Sequence, residues 1–158
     1  ILFEKVRNAL DTTQIQPHLL KLEITEDTLA DCDAMVVPQL KELKDLGVTI
    51  AIDDFGTGYS SLSYLKRFPV DTLKIDRSFI ADLAENEQSR ELARTIVAIS
   101  KKLNLHVVAE GVETEAQQQF LLEEECDCGQ GYLYGRPTCA DQFYIQHLEV
   151  DIKRDNKL

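Results

Sequence analysis

The sequence predicts an α/β fold in which short parallel strands alternate with helices. Apolar runs typical of buried strands recur along the chain, and apolar residues at helical spacing lie between them. Repetition of strand and helix implies parallel strands joined by crossover helices. The 158 residues provide about five such units, which fits either an open, doubly wound sheet or part of an eight-stranded barrel.

Five strands and three helices are predicted in detail. The strands are expected at residues 19–24, 48–52, 72–75, 106–109 and, interrupted by glycine, 129–134. Gly47 ends the first helix as a C-cap, and Thr114 with Gln117 predicts a capping box at the start of the third. The apolar positions are Val36, Val37, Leu40, Leu43 and Leu46 in the first helix, Leu92, Ile96, Ile99 and Leu103 in the second, and Leu121 and Leu122 in the third.

The chain is acidic, with a net charge of −11 at pH 7 and a sequence pI of about 4.7. Such a surface does not attract the phosphate backbone of nucleic acids, so polymeric DNA or RNA is not expected as a partner. A small phosphate ester is compatible with this charge if divalent cations lie between it and the carboxylates.

The termini and the cysteines indicate a cytoplasmic protein. The chain opens on Ile1 rather than Met, and no apolar stretch approaches the roughly 20 residues that span a bilayer. We expect residues 1–150 to be one domain cut from a longer protein, which upstream segments could tether to the inner membrane, and residues 151–158 to be a charged tail. Reduced, structural thiols are expected at Cys32, Cys126, Cys128 and Cys139.

Charged side chains follow four successive strand candidates where each apolar run ends. Because the carboxyl ends of parallel strands face one rim, these side chains are predicted to converge. Clustered carboxylates repel one another and need cations, and oxygen-only ligands favour Mg²⁺ or Mn²⁺ over Zn²⁺. Two such ions can hold a phosphodiester and generate hydroxide from water near neutral pH. The carboxylates are Glu23, Asp53, Asp54, Glu110 and Glu113.

Lys74 lies on the same predicted rim, and two roles are open for it. It can orient the attacking water and offset charge on phosphorus, or it can form an internal ion pair with Asp53 or Glu110. The nearby segment 55–61 has neither the Walker lysine spacing nor the Rossmann glycine triplet, so it is interpreted as a loop on the rim.

Five short motifs occur in order between about residues 18 and 138. They are LEITE at 22–26, DDFGTGYSS at 53–61, LKIDRSF at 73–79, VAEGVET at 108–114, and QGY at 130–132, which leads to Pro137. In combination they resemble the EAL domain of bacterial cyclic di-GMP phosphodiesterases. The resemblance implies a (β/α)₈ TIM-like barrel, here incomplete, that hydrolyses cyclic di-GMP to linear pGpG with two Mg²⁺ or Mn²⁺ ions.

The resemblance also implies roles for individual positions. Metal ligands are implied at Glu23, Asp53, Asp54 and Glu110, with Asp53 shared by both ions, and catalytic roles at Lys74, Glu110, Glu113 and Gln130. Glu26 matches the residue that anchors the loop after the two aspartates. Substrate or loop contacts are implied for Gly56, Thr57, Gly58, Tyr59, Ser60 and Pro137.

The chain departs from the family pattern because the Glu-Ala-Leu segment, its arginine and a metal-binding asparagine are absent from the sequence. We therefore expect the isolated chain to be weakly active or inactive. Two alternatives stay open, namely a receptor that binds cyclic di-GMP without hydrolysing it, and a non-catalytic interaction domain. The resemblance further implies a homodimer through the barrel, and an upstream sensory or diguanylate cyclase-like domain is compatible with the parent protein.

Overall fold

A computed structural model of the chain describes residues 2–30, 36–57, 65 and 67–145. Four positions of the predicted rim loop, Gly58, Tyr59, Ser60 and Ser61, lie outside the described residues, as do Cys32 and the predicted tail. In the described part, no helix is both long enough and apolar enough to cross a bilayer.

Five parallel strands form one sheet in which their order in space equals their order in the chain. The predicted α/β class with about five strand-helix units is confirmed. The strands are β1 (Lys21–Thr25), β2 (Thr49–Phe55), β3 (Thr72–Ile75), β4 (His106–Glu110) and β5 (Cys128–Gln130).

Seven α-helices lie among the described residues, together with a 3₁₀ turn at Pro17–Leu19. The predicted C-cap is confirmed by Gly47, whose φ of +94° is readily adopted by glycine, and both hydrogen bonds of the Thr114–Gln117 capping box are present. The helices are α1 (Leu2–Thr13), α2 (Glu26–Ala30), α3 (Val36–Asp45), α4 (Arg77–Ala81), α5 (Glu87–Lys102), α6 (Glu115–Glu123) and α7 (Ala140–Phe143).

The helices cover one face of the sheet. Alternate strand residues such as Ile50, Ile52, Leu73, Ile75 and Val107 form a single buried cluster with apolar residues of α1, α3, α4, α5 and α6. Sequential strand order with helices on one side is the arrangement of a barrel segment, whereas a doubly wound sheet carries helices on both faces. The opposite face of the sheet is free to hold polar groups.

Two details of the predicted elements are wrong. The fifth strand ends at Gln130 rather than at residue 134, because Tyr134 N–H donates to Gly131 O at 3.1 Å and turns the chain away. Of the predicted apolar positions of α5, Ile96 is buried but Leu92 is 42% exposed, and the buried face also contains Ser89, Ala93, Val97 and Ser100. Small side chains allow this helix to lie close to β3 and β4. The spacing of apolar residues alone does not predict that small polar residues are buried here.

Gly131 allows the loop after β5 to lie directly against the loop after β4. Val112 N–H donates to Gln130 O at 3.0 Å, and Leu133 N–H donates to Val112 O at 3.0 Å. A Cβ atom on Gly131 would lie 2.1 Å from Val112 O and 2.3 Å from Val112 N. Both atoms belong to the backbone and cannot move away without breaking these hydrogen bonds.

Replacing Gly131 with alanine is therefore expected to lower the free energy of unfolding by about 1–3 kcal/mol, the usual cost of forcing extra volume into a packed site. Gly135→Ala is the matched control, because nothing lies within 4 Å of a Cβ atom at that position. Urea unfolding of both variants measures the difference. Equal stability of the two variants would contradict the described contact between the loops.

Candidate metal centre

The polar face of the sheet has its charged groups near the carboxyl ends of the strands. Parallel pairing places Thr25 beside Asp53, Lys74 beside Val108, and Glu110 beside Gln130. Ala51 and Thr72, earlier on their strands, are small and buried on this same face. The sheet therefore gathers its acids and its lysine at one rim, as strand parity predicts.

The ammonium group of Lys74 lies between three carboxylates from three other strands. Its Nζ atom is 2.8 Å from Glu23 Oε2, 2.9 Å from Asp53 Oδ1 and 2.7 Å from Glu110 Oε1. Only 6% of the Lys74 side chain is exposed, so solvent screens these contacts weakly. Of the two roles open for Lys74, the ion pair is present, and it includes Glu23 in addition to Asp53 and Glu110.

The three acids keep Lys74 protonated. Burial by itself lowers the pKa of Lys74, but hydrogen bonds to Glu110, Glu23 and Asp53 outweigh burial and raise the pKa well above its ordinary value. At neutral pH the Nζ atom is therefore a hydrogen-bond donor with a full positive charge and no lone pair. A protonated lysine can orient a water molecule or stabilise negative charge, but it cannot act as a general base.

Asp53, Asp54 and Glu110 offer carboxylate oxygens that all lie within 4.8 Å of one another, close enough to share an ion. In a regular strand Asp53 and Asp54 would point to opposite faces. A register shift between Ile52 and Phe55 adds one residue to β2, and Asp54 adopts φ +53° there. The irregularity brings two consecutive aspartates to one site, and oxygen-only donors suit a hard divalent cation.

The local charge around Asp54 disfavours its ionised form. Burial raises the pKa of Asp54, the negative charges of Asp53 and Asp76 raise it further, and Lys74 only partly opposes them. A divalent cation would relieve this repulsion, since it supplies positive charge that the neighbouring side chains do not. The electrostatics therefore support the fit between this cluster and a metal ion.

Glu26 holds the backbone directly after the two aspartates. Its Oε2 atom accepts the Gly56 N–H at 2.8 Å, and the Glu26 residue is 8% exposed. Gly56 has φ +100°, and a Cβ atom there would lie 2.9 Å from the Phe79 ring. Thr57 is exposed, and its hydroxyl donates to Asp54 O at 2.9 Å. The chain after β2 is thus fastened at Gly56, which is the contact that an anchoring role for Glu26 requires.

A cavity of about 360 Å³ opens beside the carboxylate cluster. Glu113 and Gln130, for which the resemblance implies catalytic roles, line this cavity and form no hydrogen bond to Lys74 in the described part of the chain. Pro137 lines a second cavity of about 520 Å³, which shares Gln130, Gly131 and Tyr132 with the first. The first cavity is lined by Asp54, Asp76, Arg77, Glu110, Gly111, Glu113, Gln130, Gly131 and Tyr132.

Asp76 lines the cavity but is already occupied as the N-cap of α4. Its carboxylate accepts hydrogen bonds from the Ser78 hydroxyl and, at 3.0 Å, from Ser78 N–H. Burial raises the pKa of Asp76, but these hydrogen bonds outweigh burial, so the net shift is downward. Asp76 therefore adds negative charge to the cavity while its oxygens are engaged by the helix.

Gln117 has a larger role than the capping box predicts. Its side-chain oxygen accepts Glu113 N–H at 2.8 Å and Thr114 N–H at 2.9 Å, while its Nε2 donates to Ile80 O at 3.0 Å. The buried amide thus joins the loop after β4 to the end of α4. The capping pattern predicts the local half of this network, and only the tertiary structure shows the bond to Ile80.

The described cysteines take no part in the metal centre. Cys126, Cys128 and Cys139 are free thiols, and among the described residues only the three-carboxylate group is compact enough to hold an ion. Burial raises the pKa of Cys126, which keeps it a thiol. Burial supports a structural role for Cys126 alone, because Cys128 and Cys139 are exposed.

Comparison with known proteins identifies the family to which the chain belongs. The family model described as EAL domain matches residues 1–137. The Pseudomonas aeruginosa protein named cyclic di-GMP phosphodiesterase NbdA is 50% identical over 136 residues, which are 86% of this chain and 17% of NbdA. The chain thus spans about a fifth of the length of such curated relatives.

Two solved structures share the fold. The phosphodiesterase structure of MucR, in complex with cyclic di-GMP, is 52% identical with a TM-score of 0.85 and is matched over 90% of this chain and 57% of its own. BlrP1 of Klebsiella pneumoniae, solved with manganese and cyclic di-GMP, is 33% identical with a TM-score of 0.79, over 85% of this chain and 34% of its own.

Lys74→Met is expected to lower the free energy of unfolding by about 3–5 kcal/mol at pH 7, because three carboxylates would lose their shared cation. The pKa of Lys74 is raised above its ordinary 10.5 in the folded state. Its stabilising contribution is therefore complete below about pH 10.5 and is lost as pH rises through the higher folded value. Urea unfolding of wild type and variant from pH 7 to 11.5 measures this loss.

Lys102→Met, at the exposed end of α5, is the control and should change stability by less than about 0.5 kcal/mol. Adding Mg²⁺ or Mn²⁺ should return part of the stability of Lys74→Met, because a divalent cation can replace the lost charge. A difference between wild type and Lys74→Met that grows above pH 10.5 would show that the assigned sign is wrong.

Proposed function

Because the chain belongs to the EAL domain family, we propose that it forms the metal-binding part of a phosphodiesterase that hydrolyses cyclic di-GMP to linear pGpG. The observation that supports this most directly is the convergence of Glu23, Asp53 and Glu110 on Lys74, with Asp54 beside them. A rim with this set of oxygen donors matches the needs of divalent-metal phosphoester hydrolysis.

The proposed cofactors are two Mg²⁺ or Mn²⁺ ions. Asp53, Asp54 and Glu110 would hold them with Glu23, and Asp53 is the proposed shared ligand, as the resemblance to the family implies. When bound, such ions lower the pKa of water and neutralise charge on the phosphoryl oxygens. The manganese in the BlrP1 complex with cyclic di-GMP supports a divalent ion at this site.

The side chains of the chain itself supply orientation and charge. In the hydrolysis, a water oxygen forms a bond to phosphorus, the P–O3′ bond breaks, and a proton reaches the departing O3′. The three N–H donors of Lys74 are engaged by Glu23, Asp53 and Glu110. Lys74 is therefore proposed to donate to the attacking water and to the developing negative charge when metal ions take over carboxylate oxygens. Glu113 and Gln130 lie on the adjoining cavity wall, where they are proposed to orient water.

The proposed substrate has two guanine bases and two phosphodiester groups, and the two joined cavities offer room beside the rim. Gly56, Thr57 and Pro137 are proposed to contact the substrate or support its loop, as are Gly58, Tyr59 and Ser60 outside the described residues. The homodimer, a cytoplasmic location and the domain limits 1–150 and 151–158 stay predictions. The name of MucR as a bifunctional diguanylate cyclase and phosphodiesterase supports an upstream cyclase-like domain.

The proposed hydrolysis is tested by following conversion of cyclic di-GMP to pGpG by the full-length protein with Mg²⁺ or Mn²⁺. Glu110→Gln is expected to lower kcat by about 100-fold or more, because it removes a ligand charge that acts in the transition state, while calorimetry still detects binding. The 158-residue chain alone is expected to turn over poorly, since its sheet has two open edges. Binding without hydrolysis by the full-length wild type would identify a receptor instead.

A second test separates the proposed anchor from the proposed shared ligand. Glu26→Ala removes the acceptor of Gly56 N–H, a charge-assisted hydrogen bond worth about 1.5–3 kcal/mol, and should weaken metal activation and turnover together. Raising Mg²⁺ should partly restore Glu26→Ala by mass action, but not Asp53→Ala, which lacks the ligand itself. Mg²⁺ titrations of both variants measure this, and equal rescue of the two would remove the distinction between anchor and ligand.

A further inference from the structure

Arg77 is the one cationic side chain among the described residues that line the 360 Å³ cavity. Four acids line the same cavity, namely Asp54, Asp76, Glu110 and Glu113. The cavity also shares Asp54 and Glu110 with the carboxylate cluster. Arg77 therefore lies on the wall of the space that adjoins the candidate metal centre.

Two of the four acids around Arg77 have partners of their own. Glu110 is paired with Lys74 at 2.7 Å, and the Asp76 carboxylate accepts hydrogen bonds from Ser78. Arg77 forms no ion pair within 4.0 Å with any carboxylate in the described ranges. An arginine without a carboxylate partner has its five N–H donors available for another anion.

The base of the Arg77 side chain is held in place by the loop after β4. Gly111 adopts φ +72°, and a Cβ atom there would lie 2.6 Å from Arg77 Cβ and 3.4 Å from Arg77 Cα. The absence of a side chain at Gly111 therefore makes room for the first atoms of Arg77. Arg77 is also the first residue of α4, only three positions after Lys74 at the end of β3.

We propose that Arg77 is a substrate-binding residue whose guanidinium donates hydrogen bonds to a phosphate oxygen of the cyclic dinucleotide. This inference rests on the proposed function and goes beyond it, because neither the motif roles nor the carboxylate geometry assigns Arg77. Guanidinium and phosphate match in charge and in the spacing of donors and acceptors. A cation on the cavity wall adds attraction for a dianionic ligand, which the four carboxylates repel.

The test uses Arg77→Gln in the full-length protein, because the exposed position tolerates substitution without loss of fold. We expect KM for cyclic di-GMP to rise about 10-fold or more, with a smaller change in kcat, because the contact binds ground state and transition state alike. Arg77→Lys should recover part of the loss, since it keeps the charge but not the paired donors. Arg7→Gln, which removes the same charge from α1, should leave KM unchanged.

A metal titration separates this role from simple charge balance. If Arg77 only offset the neighbouring acids, Arg77→Gln would make the site more negative and lower the Mg²⁺ concentration needed for half-activation, with KM unchanged. That result would overturn the proposal while leaving the phosphodiesterase function intact. If the wild type shows no hydrolysis, calorimetry of cyclic di-GMP with Mg²⁺ gives the same comparison, and equal affinity of wild type and Arg77→Gln would likewise overturn it.

Discussion

The ion cluster around Lys74 is the constraint on which the site depends. Glu23, Asp53 and Glu110 come from three strands and would repel one another without the ammonium group between them. Burial lowers the pKa of Lys74, and the hydrogen bonds to the three acids outweigh this and keep Lys74 charged. The lysine and the three acids therefore stabilise one another's charges, and this ion cluster positions the rim side chains without a metal ion.

In the same cluster, Lys74 and a metal ion would compete for the carboxylate oxygens. A divalent cation that coordinates Asp53 or Glu110 shares those oxygens with Lys74, so part of the existing ion-pair energy is given up when the metal binds. Asp54 has no such cation within 4.0 Å among the described residues, and its neighbours disfavour its negative charge. A metal ion would therefore relieve the repulsion at Asp54, while it would compete with Lys74 for the oxygens of Asp53 and Glu110.

Strand parity and parallel connection predict much of this site from the sequence. An acid that ends an apolar run on a parallel strand must lie on the common rim, which places Glu23, Asp53 and Glu110 together without any knowledge of contacts. The sequence does not show that β2 gains one residue at Asp54, because a bulge depends on pairing with β3. Nor does it show the buried bond from Gln117 to Ile80, which joins residues far apart in the chain.

The loop after β4 connects the separate parts of the site. Glu110 begins it in the metal centre, Gly111 gives room to Arg77, and Val112 exchanges hydrogen bonds with the loop after β5. Gln117 then ties the end of this loop to α4. Because α4 starts at Arg77, the positions of a proposed metal ligand, of the cavity wall and of the Arg77 guanidinium all depend on one short segment. A small displacement of this loop would change the carboxylate cluster and the cavity together.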